Sequence, residues 1–242
     1  MSPASRLTVV TGGSRGIGAA TCRRLAAEGH DIVLAYQSAA ARAQEAAEAV
    51  RAAGARCEVV ECDVADPGAV DALFEAAASL GTVTGLVNNA GITGPVGRLV
   101  DVDVGEFPRL FAVNVIGVLL CARRAAGVMG RGGAIVNVSS GAATLGGPGE
   151  YVHYAASKGA VDTITVGLSK ELGPDGIRVN AVAPGAVWTE IHADPDRPAR
   201  VGAQKPLGRA GDPEEIAGAI AWLLSDDASY TTGAILRVAG GR

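Results

Sequence analysis

The sequence predicts an α/β fold in which a doubly wound, seven-stranded parallel sheet carries helices on both faces. Short runs rich in Val, Ile and Leu alternate along the chain with longer stretches rich in Ala, Leu and charged residues, which is the pattern of repeated strand–helix units. The 242 residues can bury one such sheet without disulfides or metal. No low-complexity linker or internal repeat divides them. We therefore expect a single domain over residues 1–242.

The predicted strands are apolar along their length, as expected for a parallel sheet that is covered on both faces. They span residues 7–10, 31–36, 56–64, 85–91, 134–140, 177–185 and 234–240. The predicted helices have a helix-forming composition. They span residues 16–29, 39–53, 67–80, 104–129, 154–173 and 212–225.

One long segment, about residues 186–211, shows neither the apolar pattern of a helix nor that of a strand. It holds three prolines and follows directly after a predicted strand. Loops of this length in compact domains are usually either disordered or functional. Because this one begins at the carboxyl end of a strand, we expect it to be a lid over a binding site.

Composition argues against several classes of protein. With 21 basic and 25 acidic residues the net charge is −4, so the chain lacks the broad positive surface of a nucleic-acid-binding protein. Its four cysteines form no C-x-x-C pair, which favours a reducing compartment and argues against a structural zinc site. We expect no metal and no nucleic-acid partner.

The chain also lacks the usual membrane signals. Its N-terminal stretch "MSPASRLTVVTGG" has no apolar core of the kind that signal peptides carry. The run "FAVNVIGVLLCA" is interrupted by Asn114 and is shorter than a membrane span, so it predicts a buried helix. We expect a soluble, cytoplasmic protein.

The first predicted strand runs into a glycine-rich turn, "TGGSRGIG" at residues 11–18, before a helix opens. Glycines let a pyrophosphate approach backbone amides that are aligned with the helix dipole. The turn therefore predicts a dinucleotide site with contacts from Gly12, Ser14, Arg15, Gly16, Ile17 and Gly18.

The same turn spells G-x-S-x-G around Ser14, the nucleophile elbow of α/β hydrolases. Such a serine needs an acid and a histidine later in the chain. His153 and His192 follow it, but neither comes with a convincing acid partner. A hydrolase is the weaker hypothesis.

Five short motifs occur in order: "TGGSRGIG", "NNAG" at 88–91, Asn114, a serine before "YAASK", and Pro184-Gly185 with Thr189. Together they resemble the short-chain dehydrogenase/reductase family, from residue 6 to about 241. The resemblance implies a Rossmann fold and a nicotinamide cofactor. It is closest to NADP(H)-preferring members such as 3-oxoacyl-ACP reductases and glucose dehydrogenases. The catalytic set it implies is Asn114, Ser140, Tyr154 and Lys158.

Tyr154 and Lys158 stand four apart and so share one helical face. Alone, such a pair could be surface decoration. A free phenol has a pKa near ~10. To exchange a proton near pH 7, its pKa must fall by about 3 units, which corresponds to stabilising its anion by about 4 kcal/mol. We expect the ammonium and an oxidised nicotinamide to supply this. By the resemblance, Lys158 also bonds the nicotinamide ribose.

Two catalytic assignments have alternatives. Ser139 and Ser140 alternate in direction along a strand, so only one faces the cleft; the resemblance favours Ser140 as the group that bonds the substrate oxygen. Asn114 is either an amide buried in an apolar helix or, by the resemblance, the site of a helix kink that holds a water in a proton relay. An unpaired buried amide is costly, which favours the relay.

The resemblance implies further cofactor contacts beyond the glycine turn. Residues 88–91 line the cofactor's midpoint, with contacts from Asn89, Ala90 and Gly91. Asp63 and Val64 meet the adenine, although "CDVAD" could be only a turn with a helix cap at Asp66. The remaining contacts are Tyr154, Lys158, Pro184, Gly185, Val187 and Thr189.

NADP(H) is the expected cofactor because the second strand ends without a carboxylate. An acidic residue at that point binds the adenosine 2′-hydroxyl and repels a 2′-phosphate. Here the strand ends with Tyr36, Gln37 and Ser38, and Arg15 stands before the second glycine of the turn. An Arg–phosphate bond contributes about 1.5–3 kcal/mol. NAD(H) is less favoured because Arg15 can bind the 2′-phosphate of NADP(H) and the end of this strand has no carboxylate to repel it.

The sequence therefore predicts an NADP(H)-dependent oxidoreductase acting on CH–OH groups, such as a ketone or 3-oxoacyl thioester reductase. The alternatives are a non-catalytic cofactor-binding scaffold and an NAD-dependent sugar or alcohol dehydrogenase. We expect residues 92–98, 141–153 and the lid to line the substrate pocket. The side chains they would contribute are Tyr151, His153, Trp188, Ile191 and His192. Extra apolar surface on helices 104–129 and 154–173 predicts, with the resemblance, a homotetramer formed through these helices and the C-terminal strand.

Overall fold

A computed structural model describes residues 6–191 and 194–241 of the chain. Within them, seven parallel strands form one sheet in the order β3–β2–β1–β4–β5–β6–β7. The strands are β1 (Arg6–Thr11), β2 (His30–Tyr36), β3 (Cys57–Glu61), β4 (Val83–Asn88), β5 (Ala134–Val138), β6 (Arg178–Pro184) and β7 (Ile235–Val238). The predicted fold class is confirmed. The order reverses between β1 and β4, and such a reversal opens a crevice at the carboxyl ends of the strands.

Helices cover both faces of the sheet. They are α1 (Gly16–Ala27), α2 (Ala40–Ala52), α3 (Pro67–Leu80), α4 (Phe107–Phe111), α5 (Gly117–Val128), α6 (Ala142–Leu145), α7 (Val152–Glu171), α8 (Arg197–Gly202) and α9 (Pro213–Leu224). One core contains Leu25 of α1, Val50 of α2 and Ile220 of α9. A second contains Phe74 of α3 and Cys121 of α5. The sheet separates the two, as double winding requires.

The predicted helix over residues 104–129 is irregular in the structure. A 3₁₀ turn (Val104–Glu106) leads into α4, and a π turn (Ala112–Ile116) separates α4 from α5. By length and composition alone, Val104–Val128 could cross a membrane. Its residues Leu110 and Cys121 are fully buried, and Cys121 belongs to the core beneath the sheet. One face of this segment therefore packs into the core, although only 33% of its most apolar window is buried.

Several boundaries differ from the sequence prediction. β3 ends at Glu61 and β5 at Val138, so the polar residues that follow them lie in loops at the sheet edge. Helix α7 begins at Val152, two residues before the predicted start. The short helices α6 and α8 were not predicted, because one turn of helix carries too little periodicity to be recognised.

The segment predicted as a lid leaves the sheet and returns to the same point. The Trp188 amide donates to the Gly211 carbonyl at 3.0 Å, and the Gly211 amide donates to the Ala186 carbonyl at 2.9 Å. Helix α8 lies between these anchors. His192 lies outside the described residues. The single domain over residues 1–242 and the lid function of this segment stay predictions.

Candidate active site

The glycine turn lies at the point where the strand order reverses. Gly12 and Gly16 have φ values of +64° and +52°, which side chains rarely adopt. A Cβ atom on Gly12 would lie 3.0 Å from the Ala90 Cα atom, and one on Gly18 would lie 2.1 Å from the Gly12 carbonyl oxygen. The first glycine therefore lets the 89–91 loop approach, and the last packs the helix against the turn.

The start of α1 can accept an anion. Within residues 6–191, no side chain caps this helix at Arg15, so its first amides are open to a ligand. The Arg15 side chain is exposed, and no salt bridge joins it to another described residue. Thr189, from the far side of the cleft, lies near Gly16: a Cβ there would be 3.2 Å from the Thr189 Cγ2 atom. The turn, Arg15 and Thr189 thus border the same part of the cleft.

Thr11 ties the glycine turn to the loop after β4. Its hydroxyl accepts hydrogen bonds from the amides of Asn89 at 3.0 Å and Ala90 at 3.1 Å. The Asn89 side chain donates to the carbonyls of Thr11 and Gly12. Asn88, in contrast, is buried and bonds Asn137 inside the sheet, so its side chain is structural. Sequence reasoning missed Thr11, although its place at the end of β1 was visible.

The structure distinguishes the two serines after β5. The Ser139 hydroxyl is buried and donates to the Asp162 carboxylate at 2.5 Å. Ser140 lies in the cleft and its side chain is hydrogen-bonded to that of Tyr154. Its hydroxyl oxygen also accepts from the Ala142 amide at 3.1 Å. Both serines border the cleft, but Ser139 is bonded to Asp162, and Ser140 is the one whose side chain interacts with the phenol.

Tyr154 and Lys158 lie on one face of α7, as the spacing predicts. The Lys158 ammonium is 5.8 Å from the centre of the Tyr154 ring and donates to the Val138 carbonyl at 2.7 Å. Only 4% of Lys158 is exposed. Burial lowers the pKa of Lys158 to about 8, while Asp162 acts to raise it.

Among the described residues, Lys158 does not produce the expected lowering of the Tyr154 pKa. Burial raises the pKa of Tyr154 to about 12, and the Ser140 hydrogen bond and Arg197 act to lower it. Lys158 is turned toward the Val138 carbonyl, which explains its small influence on the oxygen. With this pKa the phenol is protonated at pH 7, and this is the form that donates a proton to a carbonyl oxygen.

Asn114 lies at the centre of the π turn, which interrupts the α-helical pattern at the position of the predicted kink. Its carbonyl oxygen accepts from the Ile92 amide at 2.9 Å, and its amide nitrogen donates to the Ile92 carbonyl at 2.9 Å and to the Ser157 hydroxyl at 3.0 Å. The side chain is fully buried. Asn114 therefore fixes the 89–92 loop against α7. Its role in a water relay stays a prediction.

The adenosine end of the cleft contains the residues predicted there and one that was missed. Tyr36, Gln37 and Ser38 line it together with Asp63 and Val64. Arg109 of α4 pairs with Asp63 at 2.8 Å. Burial acts to raise the pKa of Asp63, but the bonds from Arg109 and the Ala65 amide more than offset it and lower the pKa. Arg109 lies 46 residues from Asp63 in the sequence, and no local pattern joins them.

The helix cap that the alternative assignment of "CDVAD" predicts is present, while contact of Asp63 and Val64 with the adenine stays a prediction. Asp66 caps α3, where its carboxylate accepts from the Gly68 amide at 2.8 Å. Asp63 nonetheless lines the cleft, so this turn both caps a helix and borders the site.

The opposite end of the cleft differs from its predicted lining. Tyr151 and Ile191 line it, whereas Trp188 is 45% exposed and does not. His153 is buried and stacks on Phe107 with ring centres 4.9 Å apart, so it faces the protein interior. Helix periodicity explains this correction: adjacent helical residues point about 100° apart, so Tyr154 and His153 cannot share the cleft.

Arg197 of α8 was also missed by sequence reasoning. It pairs with Glu150 at 2.5 Å and contacts the Tyr151 hydroxyl. Tyr151 in turn meets Tyr154 edge to face, with ring centres 5.4 Å apart. The proline-containing segment around Arg197 gave no signal that this side chain would reach the catalytic end.

A single cleft brings the predicted site together. Every predicted cofactor contact lines it except Gly18, which lies beneath the turn, and three of the four predicted catalytic residues line it as well. Asn114 lies behind the 89–92 loop. A Cβ on any of Gly12, Gly16 or Gly91 would meet a neighbouring protein atom within 3.5 Å, so glycine at these positions lets the walls of the cleft approach each other closely. Among the described residues, no cluster of three metal-ligating side chains occurs.

Comparison with known proteins identifies relatives over nearly the whole chain. A family model described as enoyl-(acyl carrier protein) reductase matches residues 12–242. An uncharacterized oxidoreductase, YgfF of Escherichia coli (strain K12), is 46% identical over 98% of this chain and 99% of its own length. The 3beta-hydroxysteroid dehydrogenase 1 of Eggerthella lenta is 43% identical over 98% of this chain and 93% of its own.

A solved structure shares the fold as well. The blue fluorescent protein from a metagenomic library, in complex with NADPH, is 40% identical with a TM-score of 0.91. The comparison covers 98% of this chain and 97% of that one.

Proposed function

The chain belongs to the short-chain dehydrogenase/reductase family, and on this basis we propose that it is an NADP(H)-dependent oxidoreductase that interconverts a ketone and a secondary alcohol. One observation carries the proposal. Ser140, Tyr154 and Lys158 meet at one end of a glycine-bordered cleft, and Asn114 braces that end from behind. The scaffold alternative predicts the loss of one of these groups, and all four are present.

Each residue has a defined part in the proposed reaction. Bound NADP(H) would supply or accept the hydride. Tyr154 donates its phenolic proton to the carbonyl oxygen during reduction and accepts it during oxidation. Ser140, which already bonds the Tyr154 side chain, donates to the same substrate oxygen and stabilises its developing charge. Lys158 binds the ribose hydroxyls and keeps a positive charge near the phenol.

The cofactor assignment is supported by the adenosine end of the cleft. Gln37 and Ser38 line it without a carboxylate from β2, and Arg15 is exposed at the glycine turn. Asp63 is already neutralised by Arg109 at 2.8 Å, so it repels a 2′-phosphate weakly. One structural relative binds NADPH. These features favour NADPH over NADH by about tenfold in kcat/KM.

The substrate end favours an apolar carbonyl compound. Among the described residues, Ile92, Tyr151 and Ile191 line it, and Arg197, which also borders it, is paired with Glu150. One relative is named a hydroxysteroid dehydrogenase, which supports an alcohol or ketone substrate. A 3-oxoacyl thioester remains a candidate because the same catalytic set serves all of these carbonyl compounds.

A homotetramer is part of the proposal. Ile116 and Leu119, along the π turn and α5, and Val152 and Val166 on α7 are 38–48% exposed, so these helices retain apolar surface after packing on the sheet. Light scattering should give about four times the chain mass of 24.2 kDa. A monomer at micromolar concentration would contradict this. A cytoplasmic location is likewise proposed.

The function is tested by the absorbance of reduced nicotinamide. Cyclic and linear ketones, aldehydes, sugars and acyl thioesters are each offered with NADPH and with NADH, and the matching alcohols with the oxidised cofactors. We expect turnover of at least one carbonyl class, faster with NADPH, and none with the Tyr154→Phe variant. Tight NADPH binding without turnover of any compound would favour the scaffold alternative.

A further inference from the structure

A carboxylate lies close behind the catalytic pair. Asp162 follows Lys158 by one helical turn on α7, so Tyr154, Lys158 and Asp162 share one face of the helix. Unlike the first two, Asp162 is absent from the lining of the cleft. Asp162 is partly buried and lies outside the cleft lining, so its charge calls for a reason other than substrate binding.

Ser139 links this carboxylate to the catalytic helix. Its hydroxyl lies 2.5 Å from the Asp162 Oδ1 atom and 3.3 Å from the Lys158 carbonyl oxygen. A hydroxyl has one proton to donate, and the shorter distance assigns it to the carboxylate. The carbonyl just before Ser139, that of Val138, accepts from the Lys158 ammonium at 2.7 Å. Asp162, Ser139 and Lys158 therefore form one connected group around the end of β5.

The charges around this group are few. Lys158 faces the Tyr154 ring on its own helix and the Val138 carbonyl. Asp162 is the charged group that acts to raise its pKa against burial. Burial in turn raises the pKa of Asp162, while Ser139 of the β5 end, Lys158 of α7 and Arg237 of β7 act to lower it. An ammonium that is only 4% exposed is costly without such a partner.

We propose that Asp162 is a positioning residue of this active site. It is the counter-charge that keeps the buried Lys158 protonated in the neutral range. By accepting the hydrogen bond of Ser139, it also ties the end of β5, next to Ser140, to the catalytic helix. The role of a protonated Lys158 in catalysis rests on the proposed function, whereas the effect of Asp162 on the titration of Lys158 does not.

The titration can be measured directly, because the chain has only three lysines, Lys158, Lys170 and Lys205. NMR of protein labelled with ¹³C at the lysine Cε atoms follows each of them with pH, and Lys158→Met assigns the buried one. Asp162→Asn keeps the shape and the acceptor oxygen for Ser139 but removes the charge. We expect the pKa of Lys158 to fall by about one unit, a tenfold loss of proton affinity.

Two controls separate charge from structure. Ser139→Ala removes the hydroxyl but keeps the carboxylate, so the pKa of Lys158 should move much less than in Asp162→Asn. Asp162→Glu keeps the charge and should stay near the wild type, while Asp162→Gln should follow Asp162→Asn. The Glu and Gln pair gives the same comparison if the Asn variant does not fold. An unchanged Lys158 pKa after loss of the charge overturns the proposal.

Activity supplies the second readout. In the reduction direction, the alkaline limb of the kcat/KM profile should move to lower pH by about one unit in Asp162→Asn and return in Asp162→Glu. A uniform loss at all pH values, with no displacement of that limb, would mean a purely structural role and also overturn the proposal. If the wild type reduces no carbonyl while the Lys158 pKa still falls, the proposed function fails and the role of Asp162 as counter-charge stands.

Discussion

The two ends of the cleft are held by different kinds of contact. At the catalytic end, buried hydrogen bonds join Asn114 to Ile92 and Ser157, and Lys158 to Val138. At the adenosine and lid side, ion pairs connect the walls: Arg42 of α2 with Glu190, and Arg109 of α4 with Asp63. The side chains of the Arg42–Glu190 pair are 50% and 53% exposed.

This difference has a physical consequence. Buried groups that lose a partner cost about 1–3 kcal/mol each, whereas exposed ion pairs contribute about 0–1 kcal/mol. The catalytic end is therefore set rigidly by the fold, and the side bordered by these exposed ion pairs, where we propose that the cofactor is selected, can rearrange at little cost. Substitutions at the two ends should differ accordingly.

The largest effect should follow loss of the phenol. Tyr154→Phe keeps the ring packed but removes the proton that reaches the carbonyl oxygen, so kcat should fall by about 10²–10⁴. NADPH affinity, measured by the fluorescence of the bound cofactor, should stay close to the wild type. The matched control is Tyr151→Phe, since this ring lies edge to face with Tyr154 and should lose far less activity. Retention of more than about a tenth of the activity by Tyr154→Phe, a loss under about 1.4 kcal/mol, would show that another group is the acid.

Loss of the buried amide should rank second. Asn114→Ala leaves the Ile92 amide and carbonyl and the Ser157 hydroxyl without their partner, so the free energy of unfolding should fall by about 2–4 kcal/mol. Urea denaturation followed by circular dichroism measures this. A change below about 1 kcal/mol would mean that water replaces the amide, and the catalytic end would be less rigid than its contacts indicate.

How far the sequence predicts these features depends on how local their causes are. The strand–helix alternation predicts the whole sheet, because each strand is apolar by itself. Tyr154 and Lys158 are placed correctly because four residues of helix fix their shared face. Arg109 and Arg197 could not be predicted, since each meets its partner only after the sheet has brought distant segments together. His153 was misplaced because apolar surroundings alone do not show whether a side chain faces the cleft or the interior.

Cofactor choice should show an intermediate effect. Arg15 is exposed and joined by no salt bridge to another described residue, so a 2′-phosphate would meet it without displacing a partner. Arg15→Ala should remove most of an about tenfold preference for NADPH in kcat/KM, about 1.4 kcal/mol, while leaving the NADH value almost unchanged. Arg109→Ala is the comparison variant because this arginine is already paired with Asp63. A preference that survives in Arg15→Ala and disappears in Arg109→Ala would move the phosphate contact to the adenine side.

The smallest effect should come from the exposed pair between α2 and the segment after β6. Arg42→Gln breaks the contact with Glu190, which spans 2.7 Å, but both side chains already lie half in water. The free energy of unfolding should therefore change by less than about 0.5 kcal/mol, measured by urea denaturation beside Asn114→Ala. The double variant with Glu190→Gln should add nothing beyond the two single changes, because solvent screens the coupling. A loss above about 1.5 kcal/mol, or a clear coupling between the two positions, would show that this side of the cleft is as firmly built as the catalytic end and that the contrast between them is wrong.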